Sequence, residues 1–321
     1  MERRQLGRTG LEVSRIGLGC GNFGGVGSAP ELFGQGESEG EAFAIMDAAL
    51  EAGVNFFDTA ASYGGGRSER WIGNWRAKRK APVLLETKVF WSATGDPTER
   101  GLSRERIMRE LEQSLSRLQA DHVDLYLTHE PDPQTPIEET LRALDELVQA
   151  GKVRAVGASN LDGAQLAEAL ETSDRLGLVR YGWVQNEYSL LQRAAEDELL
   201  PLCEREQLGF TPFSPLAGGW LTGKYGAGRP YPAGSRMALR PEPYLALLED
   251  EIFASLDRFK AAAAARGVEP AALALAWVLS HPSVTAVIVG PRRPKQLEPA
   301  LVALELQLSE LERQELAELF Q

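Results

Sequence analysis

A chain of 321 residues with 43% hydrophobic side chains has the material for a large core and lies well clear of disordered composition. Its 34 Lys and Arg against 46 Asp and Glu leave a net charge of −12 with no basic run, which argues against binding along a nucleic-acid backbone or an anionic membrane, both of which need clustered cations. Cys20 and Cys203 form no CxxC pair, MERRQLGRTG has no apolar signal core, and no run reaches membrane-span length, so a soluble protein of the reduced cytoplasm is the expectation.

The chain opens with a hairpin signal over Gln5–Ser14, two short alternating pieces around Arg-Thr-Gly. Arg15–Gly19 reads as a strand, followed by a Gly-rich loop from Gly21 to Gly36 and a helix over Glu39–Gly53 with Phe43, Met46, Ala49 and Leu50 at helical spacing. A short buried run, Val54–Phe57, ends in the carboxylate Asp58, and Tyr63 follows in the glycine-rich stretch before a helix at Ser68–Arg79. The rhythm then repeats. Strands are predicted at Val83–Val89, Val123–His129, Val153–Ala158, Trp183–Gln185 and Phe210–Ser214. They alternate with helices at Ser103–Leu118 (Ser103 as N-cap), Pro136–Ala150, Asp162–Leu176 and Glu196–Gln207. A Gly/Pro-rich segment runs to about Pro243, helices are expected near Leu245–Arg266 and Pro270–His281, a last strand at Thr285–Val289, and helices near Gln296–Leu304 and Ser309–Phe320. Eight β-then-α units without a composition break indicate a single α/β domain over residues 1–321: a (β/α)8 TIM barrel with an N-terminal β-hairpin and extra C-terminal helices. A doubly wound open sheet is the alternative that periodicity alone leaves open.

Gly19-Cys-Gly-Asn-Phe-Gly24 matches G-x-G-x-x-G, but a dinucleotide fingerprint needs a helix opening at that turn, and Gly25-Val-Gly-Ser-Ala-Pro30 cannot continue one. It reads as a rim loop. Four polar residues fall at or just past strand ends: Asp58, Tyr63, Lys88 and His129. In a barrel these converge on the C-terminal face. Each has an ordinary reading by itself, a loop-capping carboxylate or a half-buried ring, but together they suit protonation of a carbonyl oxygen. The phenol needs a nearby cation to work as an acid-base group, Lys88 can supply it, Asp58 can hold Lys88, and neutral His129 can orient the substrate oxygen. Glu86 shares the Lys88 face of its strand, as a second acid or a partner for a cation.

With these residues in place the chain resembles the aldo-keto reductase superfamily along nearly its whole length, through NFFDTAASYGGGRSE, LLETKV, DLYLTHEPD, GKVRAVGASN, VQNEYSLL, FSPLAGGWLTGKY and VIVGPRRPKQLEPAL. The resemblance implies a barrel that binds extended NADP(H) without a Rossmann domain and reduces an aldehyde or ketone, with a catalytic tetrad of Asp58, Tyr63, Lys88 and His129 and Tyr63 as proton donor. It implies cofactor contacts from Gly21 and Asp58, from Ser159, Asn160 and Gln185 to the nicotinamide carboxamide, and from Phe213 stacking where the family usually has Tyr. Ser214, Leu216, Gly218 and Lys224 match the pyrophosphate loop. Gly290, Arg292 and Gln296 match the adenosine end, with Arg292 or Arg293 forking onto a 2′-phosphate, while Ala300 stands where the family commonly has Asn. No metal site is expected. Phe23, Trp91 and Trp220 are candidate apolar walls for a small-molecule carbonyl substrate, and a homo-oligomer is left open. Rival readings are a cofactor-binding regulatory or sensor subunit, like relatives that work beside a membrane channel, and a barrel hydrolase or isomerase, which would want paired carboxylates or metal ligands at the strand ends.

Overall fold

The computed structural model describes residues 1–320. Strands β1 (Arg3–Gln5) and β2 (Glu12–Ser14) pair antiparallel as the expected hairpin. The chain then supplies β3 (Ile16–Gly19), α1 (Glu39–Glu51), β4 (Phe56–Asp58), α2 (Arg67–Arg79), β5 (Leu84–Val89) and α3 (Arg104–Leu118). Strand β6 (Val123–Thr128), α4 (Ile137–Gln149), β7 (Val153–Ser159), α5 (Gly163–Leu176), β8 (Trp183–Gln185), α6 (Leu199–Glu206) and β9 (Gly209–Phe210) continue the alternation. After α7 (Arg236–Leu239), α8 (Asp250–Ala265) and α9 (Pro270–Leu279) comes the last strand, β10 (Val287–Val289), then α10 (Glu298–Glu305) and α11 (Glu310–Glu318).

Strands β3 to β10 form one parallel sheet in the order β10-β3-β4-β5-β6-β7-β8-β9. Between its two ends, Thr285 N–H donates to Phe210 O at 2.8 Å and Ile288 N–H to Pro212 O at 2.9 Å, so the sheet closes into the (β/α)8 barrel with its N-terminal hairpin. Local chemistry explains the helix starts. Ser38 with Glu41, Asp162 with Gln165 and Ser309 with Glu312 form reciprocal capping boxes at α1, α5 and α11, and Ser103 caps α3.

Several boundaries differ from the sequence reading. The strand expected over Phe210–Ser214 is found as β9 at Gly209–Phe210; Thr211 and Phe213 N–H still donate to Val184 O (3.0 Å) and Asn186 O (3.1 Å), but Pro212 has no N–H and Ser214 turns to φ 52°. The helix expected from Glu196 begins at Leu199, with a separate 3-10 turn at Ala194–Glu196; Pro201 in its first turn has no N–H with which to bond back to residue 197. Likewise Glu242–Leu247 is a 3-10 turn before α8, and Pro294–Leu297 one before α10. The G-x-G-x-x-G stretch opens no helix; the next α-helix begins at Glu39.

Two cores result. Leu6, Leu11 and Val13 of the hairpin plug the lower end of the barrel against Phe56, Leu125, Leu127, Ala155, Trp183 and Ile288, the inward side chains. The remaining apolar residues fill the layer between strands and helices. Room inside is tight: a Cβ on Gly17 would lie 2.2 Å from the Phe56 ring, so glycine there is what lets an aromatic ring cross the lumen. Alternation along β5 turns Glu86 and Lys88 inward, while the Thr87 hydroxyl donates outward to Glu69 at 2.6 Å, within a buried cluster that includes Arg117 and Glu110.

At the lower end Arg15 is buried and, among the described residues, has no carboxylate partner. Its guanidinium donates to the carbonyls of Val284 (2.7 Å), Thr285 (3.1 Å) and Leu279 (2.6 Å), pinning the approach to β10 beside β3, and burial lowers its pKa to about 10. Removing it leaves the buried carbonyls of Leu279 and Thr285 without this donor and Val284 O with only the longer bond from Arg4 (3.4 Å). Arg15→Ala should therefore lower unfolding stability by about 3 kcal/mol or more in a denaturant titration, far from the C-terminal face of the barrel.

Candidate active site

The ladder continues past the strand ends and fixes the site. Cys20 N–H donates to Asp58 O (2.8 Å), Thr59 N–H to Glu86 O (2.9 Å), Ala61 N–H to Lys88 O (3.3 Å) and His129 N–H to Val89 O (2.8 Å). Asp58 lies in register with Glu86. After β4 the chain makes a 3-10 turn at Tyr63–Gly65, in which Gly64 adopts φ 58° so close to the rim loop that a Cβ would sit 2.4 Å from Phe23 O.

All three Lys88 donors are used. Its ammonium, fully buried, forms a salt bridge to Asp58, donates to Thr59 O at 2.9 Å and to the Tyr63 hydroxyl oxygen at 3.4 Å. The Tyr63 ring meets His129 edge-on with centroids 5.6 Å apart. Asp58, Tyr63 and His129 border one cleft of about 1370 Å³ on the C-terminal face, and Lys88 stands directly behind them.

Burial raises the Tyr63 pKa to about 12, outweighing the nearby Lys88, so the phenol is protonated throughout the neutral range. The sequence reading expects the cation to favour the phenolate; desolvation wins instead. Burial also opposes the charge on Lys88, but its ion pair with Asp58 outweighs that and raises its pKa above the ordinary value. Burial, with Lys88 adding to it, holds His129 well below 6.5 and therefore neutral. The arrangement presents a protonated phenol braced by a cation, beside an imidazole able to donate a hydrogen bond.

Behind this group, Gln185 donates from its amide nitrogen to Glu86 (2.6 Å) and Asp58 (3.4 Å), and the Ser159 hydroxyl donates to Gln185 O at 2.7 Å. Ser159 and Gln185 thus belong to the back wall, while Asn160 reaches the cleft itself. Asn160 has φ 62° and its amide bonds His129 O at 3.0 Å and Glu130 at 3.3 Å. Paired acids of a barrel hydrolase would both have to face the cleft. Glu86 does not: it is fully buried.

Gly21 borders the same cleft against the Tyr63 ring, which a Cβ there would meet at 3.6 Å, and Phe213, Ser214, Leu216, Gly218, Lys224, Gly290, Arg292 and Gln296 line the rest of it. Gly218 and Gly219 have φ 62° and 97°; a Cβ on Gly218 would strike the Tyr244 ring at 2.3 Å and one on Gly219 would strike the Lys224 ammonium at 2.2 Å. Among the described residues Lys224, Arg236, Arg240 and Arg293 face this end without a carboxylate partner, and the Ser235 hydroxyl there is buried and unbonded. Unpaired cations and bare backbone along a groove fit a phosphate-bearing dinucleotide.

Arg292 is already engaged. Its guanidinium pairs with Glu37 and bonds Gly234 O, and its backbone N–H donates to the Gln296 amide oxygen at 2.7 Å. This clasp ties the rim after β3 to the segment before α7. Glu37, Arg236 and Tyr244 are absent from the sequence reading. Nothing local marks them, since Arg292–Glu37 spans 255 positions and Arg236–Asn22 (3.1 Å) spans 214. Of the three aromatic walls expected, only Trp91 borders the cleft. Phe23 is fully buried, and Trp220 is enclosed between Tyr225 and Phe253.

Comparison with known proteins agrees with this geometry. The profile of the Aldo/keto reductase family matches residues 15–320. The "Uncharacterized oxidoreductase YrpG" of Bacillus subtilis (strain 168) is 41% identical over 320 residues, covering 96% of this chain and 92% of its own. Two proteins named "Probable voltage-gated potassium channel subunit beta", from Oryza sativa subsp. japonica and Arabidopsis thaliana, are 39% and 37% identical, each over 95% of this chain and 92% of their own. The chain belongs to the aldo/keto reductase family, a family of oxidoreductases.

Proposed function

We propose that this protein reduces aldehydes or ketones to alcohols with NADPH, using Tyr63 as the proton donor. The observation that carries this reading is the Lys88–Tyr63 contact: the ammonium donates to the phenol oxygen, which leaves the phenol O–H free to point into the cleft beside neutral His129. NADPH bound along the groove would supply the hydride for the carbonyl carbon. The chain's own residues do the rest. His129 donates a hydrogen bond that holds the carbonyl oxygen, Tyr63 Oη passes its proton to that oxygen, and Lys88, held by Asp58, stabilises the phenolate left behind.

In this reading Gly21, Asp58, Ser159, Asn160, Gln185 and Phe213 shape the nicotinamide end. Ser214, Leu216, Gly218 and Lys224 cradle the pyrophosphate, and Gly290, Arg292 and Gln296 frame the adenosine end. Arg292 serves the clasp through Glu37, so exposed Arg293 takes the 2′-phosphate. A sensor subunit is the second reading, supported by the printed names of the two channel relatives. The protonated phenol and neutral imidazole favour turnover.

Loss of NADPH absorbance over a panel of aldehydes and ketones tests the proposal. Tyr63→Phe should lower kcat by about 10²–10⁴-fold while leaving NADPH binding intact; binding without turnover on any carbonyl by the wild type would instead support the sensor reading. The rate of reduction should show no titration step between about pH 6 and about pH 9, because His129 stays neutral and Tyr63 stays protonated across that window. A step near 6.5, the ordinary histidine value, would mean that His129 titrates freely. Arg293→Ala should raise KM for NADPH by about tenfold or more and leave KM for NADH unchanged.

A further inference from the structure

Glu86 has no role in the chemistry above, yet it is fully buried one register step from Asp58 and two residues from Lys88. One of its oxygens, Oε1, accepts from the Gln185 amide nitrogen at 2.6 Å; the other, Oε2, accepts no hydrogen bond at all. An ionised Glu86 would need a hydrogen-bonded counter-charge, and among the described residues the cation whose charge acts on it, Lys88, has its donors committed elsewhere. The three Lys88 donors go to Asp58, Thr59 O and Tyr63. From β6 the register partner is Leu125, from β8 the neighbour is the neutral Gln185, and the Cys20 thiol after β3 is kept un-ionised by burial. A second unpaired carboxylate here would carry the full cost of desolvation, several kcal/mol per ion. A proton on Oε2 removes that cost and gives the orphaned atom a partner, since the carboxyl is within hydrogen-bonding reach of Asp58.

We propose that Glu86 is a positioning residue that works as an uncharged carboxylic acid, donating from Oε2 to Asp58 and accepting at Oε1 from Gln185, so that the amide of Gln185 is locked with its nitrogen inward and its oxygen as the one atom left to bind a ligand. Its neutral form agrees with the direction in which burial, and then Asp58, move its pKa, well above the ordinary carboxylate value. The consequence for function rests on the reading of Gln185 as a contact to the nicotinamide end: a fixed amide oxygen selects a donor group on the bound cofactor, and a freed amide could present either edge.

The protonation claim can be tested without any nucleotide. Unfolded Glu86 releases its proton above its ordinary pKa of 4.5, whereas the folded form retains it, so folding of the wild type is penalised increasingly as pH rises. The amide of the Glu86→Gln variant does not titrate. The melting temperature of Glu86→Gln relative to wild type should therefore climb from about pH 5 to about pH 8, and the infrared carbonyl band of a protonated carboxyl, present in the wild type at neutral pH, should be missing from the variant. A melting difference that stays flat or falls with pH, or no such band, overturns the inference whatever becomes of the reductase reading.

The positioning claim is read by binding. Glu86→Gln should bind NADPH within about threefold of wild type, because its amide can donate to Asp58 and accept from Gln185 in the same geometry. Glu86→Leu should weaken NADPH about tenfold or more while leaving 2′,5′-ADP, which lacks the nicotinamide, unchanged. Equal NADPH affinity in Glu86→Leu, or an equal loss for both probes, would reduce Glu86 to filler. A wild type that binds neither probe would overturn the cofactor reading and this role together, while leaving the protonation result standing.

Discussion

The buried ammonium of Lys88 is the constraint on which the C-terminal face of this barrel depends. A cation deprived of water needs every donor answered, and the three partners come from different stretches of chain: the end of β4, the first residue of its loop, and the 3-10 turn beyond. Satisfying Lys88 thus fixes where Asp58 ends its strand and where Tyr63 stands. The parallel ladder that runs on through Thr59 and Ala61 into β5 holds the loop to that geometry, and Glu86, in register with Asp58, completes the wall behind it.

Burial then sets the chemistry. Around Tyr63 two effects oppose each other: a neighbouring cation that favours phenolate, and a dry site that favours phenol. Desolvation wins, and the site rests in its proton-loaded form. The same dryness keeps His129 neutral. Toward the other end of the cleft the cations Lys224, Arg236, Arg240 and Arg293 have no carboxylate partner among the described residues, and burial lowers the pKa of Arg236. The cleft thus has a dry end around Tyr63 and a basic end, where the Glu37–Arg292–Gly234 clasp ties the rim after β3 to the segment before α7.

The lower end of the barrel has a different task. The hairpin plug, the aromatic rings that cross the lumen and the Arg15 clamp serve closure of the sheet at the β9–β10 seam, where the ladder itself is interrupted by Pro212.

Much of this was legible in the sequence because it is local. Strand–helix alternation, capping pairs such as Asp162 with Gln165, and polar residues placed where apolar runs stop all follow from neighbours in the chain, and they were enough to find the barrel and to name Asp58, Tyr63, Lys88 and His129. Three kinds of feature came only from tertiary structure. Boundaries near Pro201 and Pro212 shifted because a missing N–H matters only once its would-be partner is in place. Contacts such as Arg292–Glu37 and Gln185–Glu86 join residues 255 and 99 positions apart, and no spacing encodes them. The protonation states of Tyr63 and His129 were decided by burial, a property of the closed barrel that composition does not carry: the sequence determined which groups stand at the strand ends, and the exclusion of water determined which of them hold a proton.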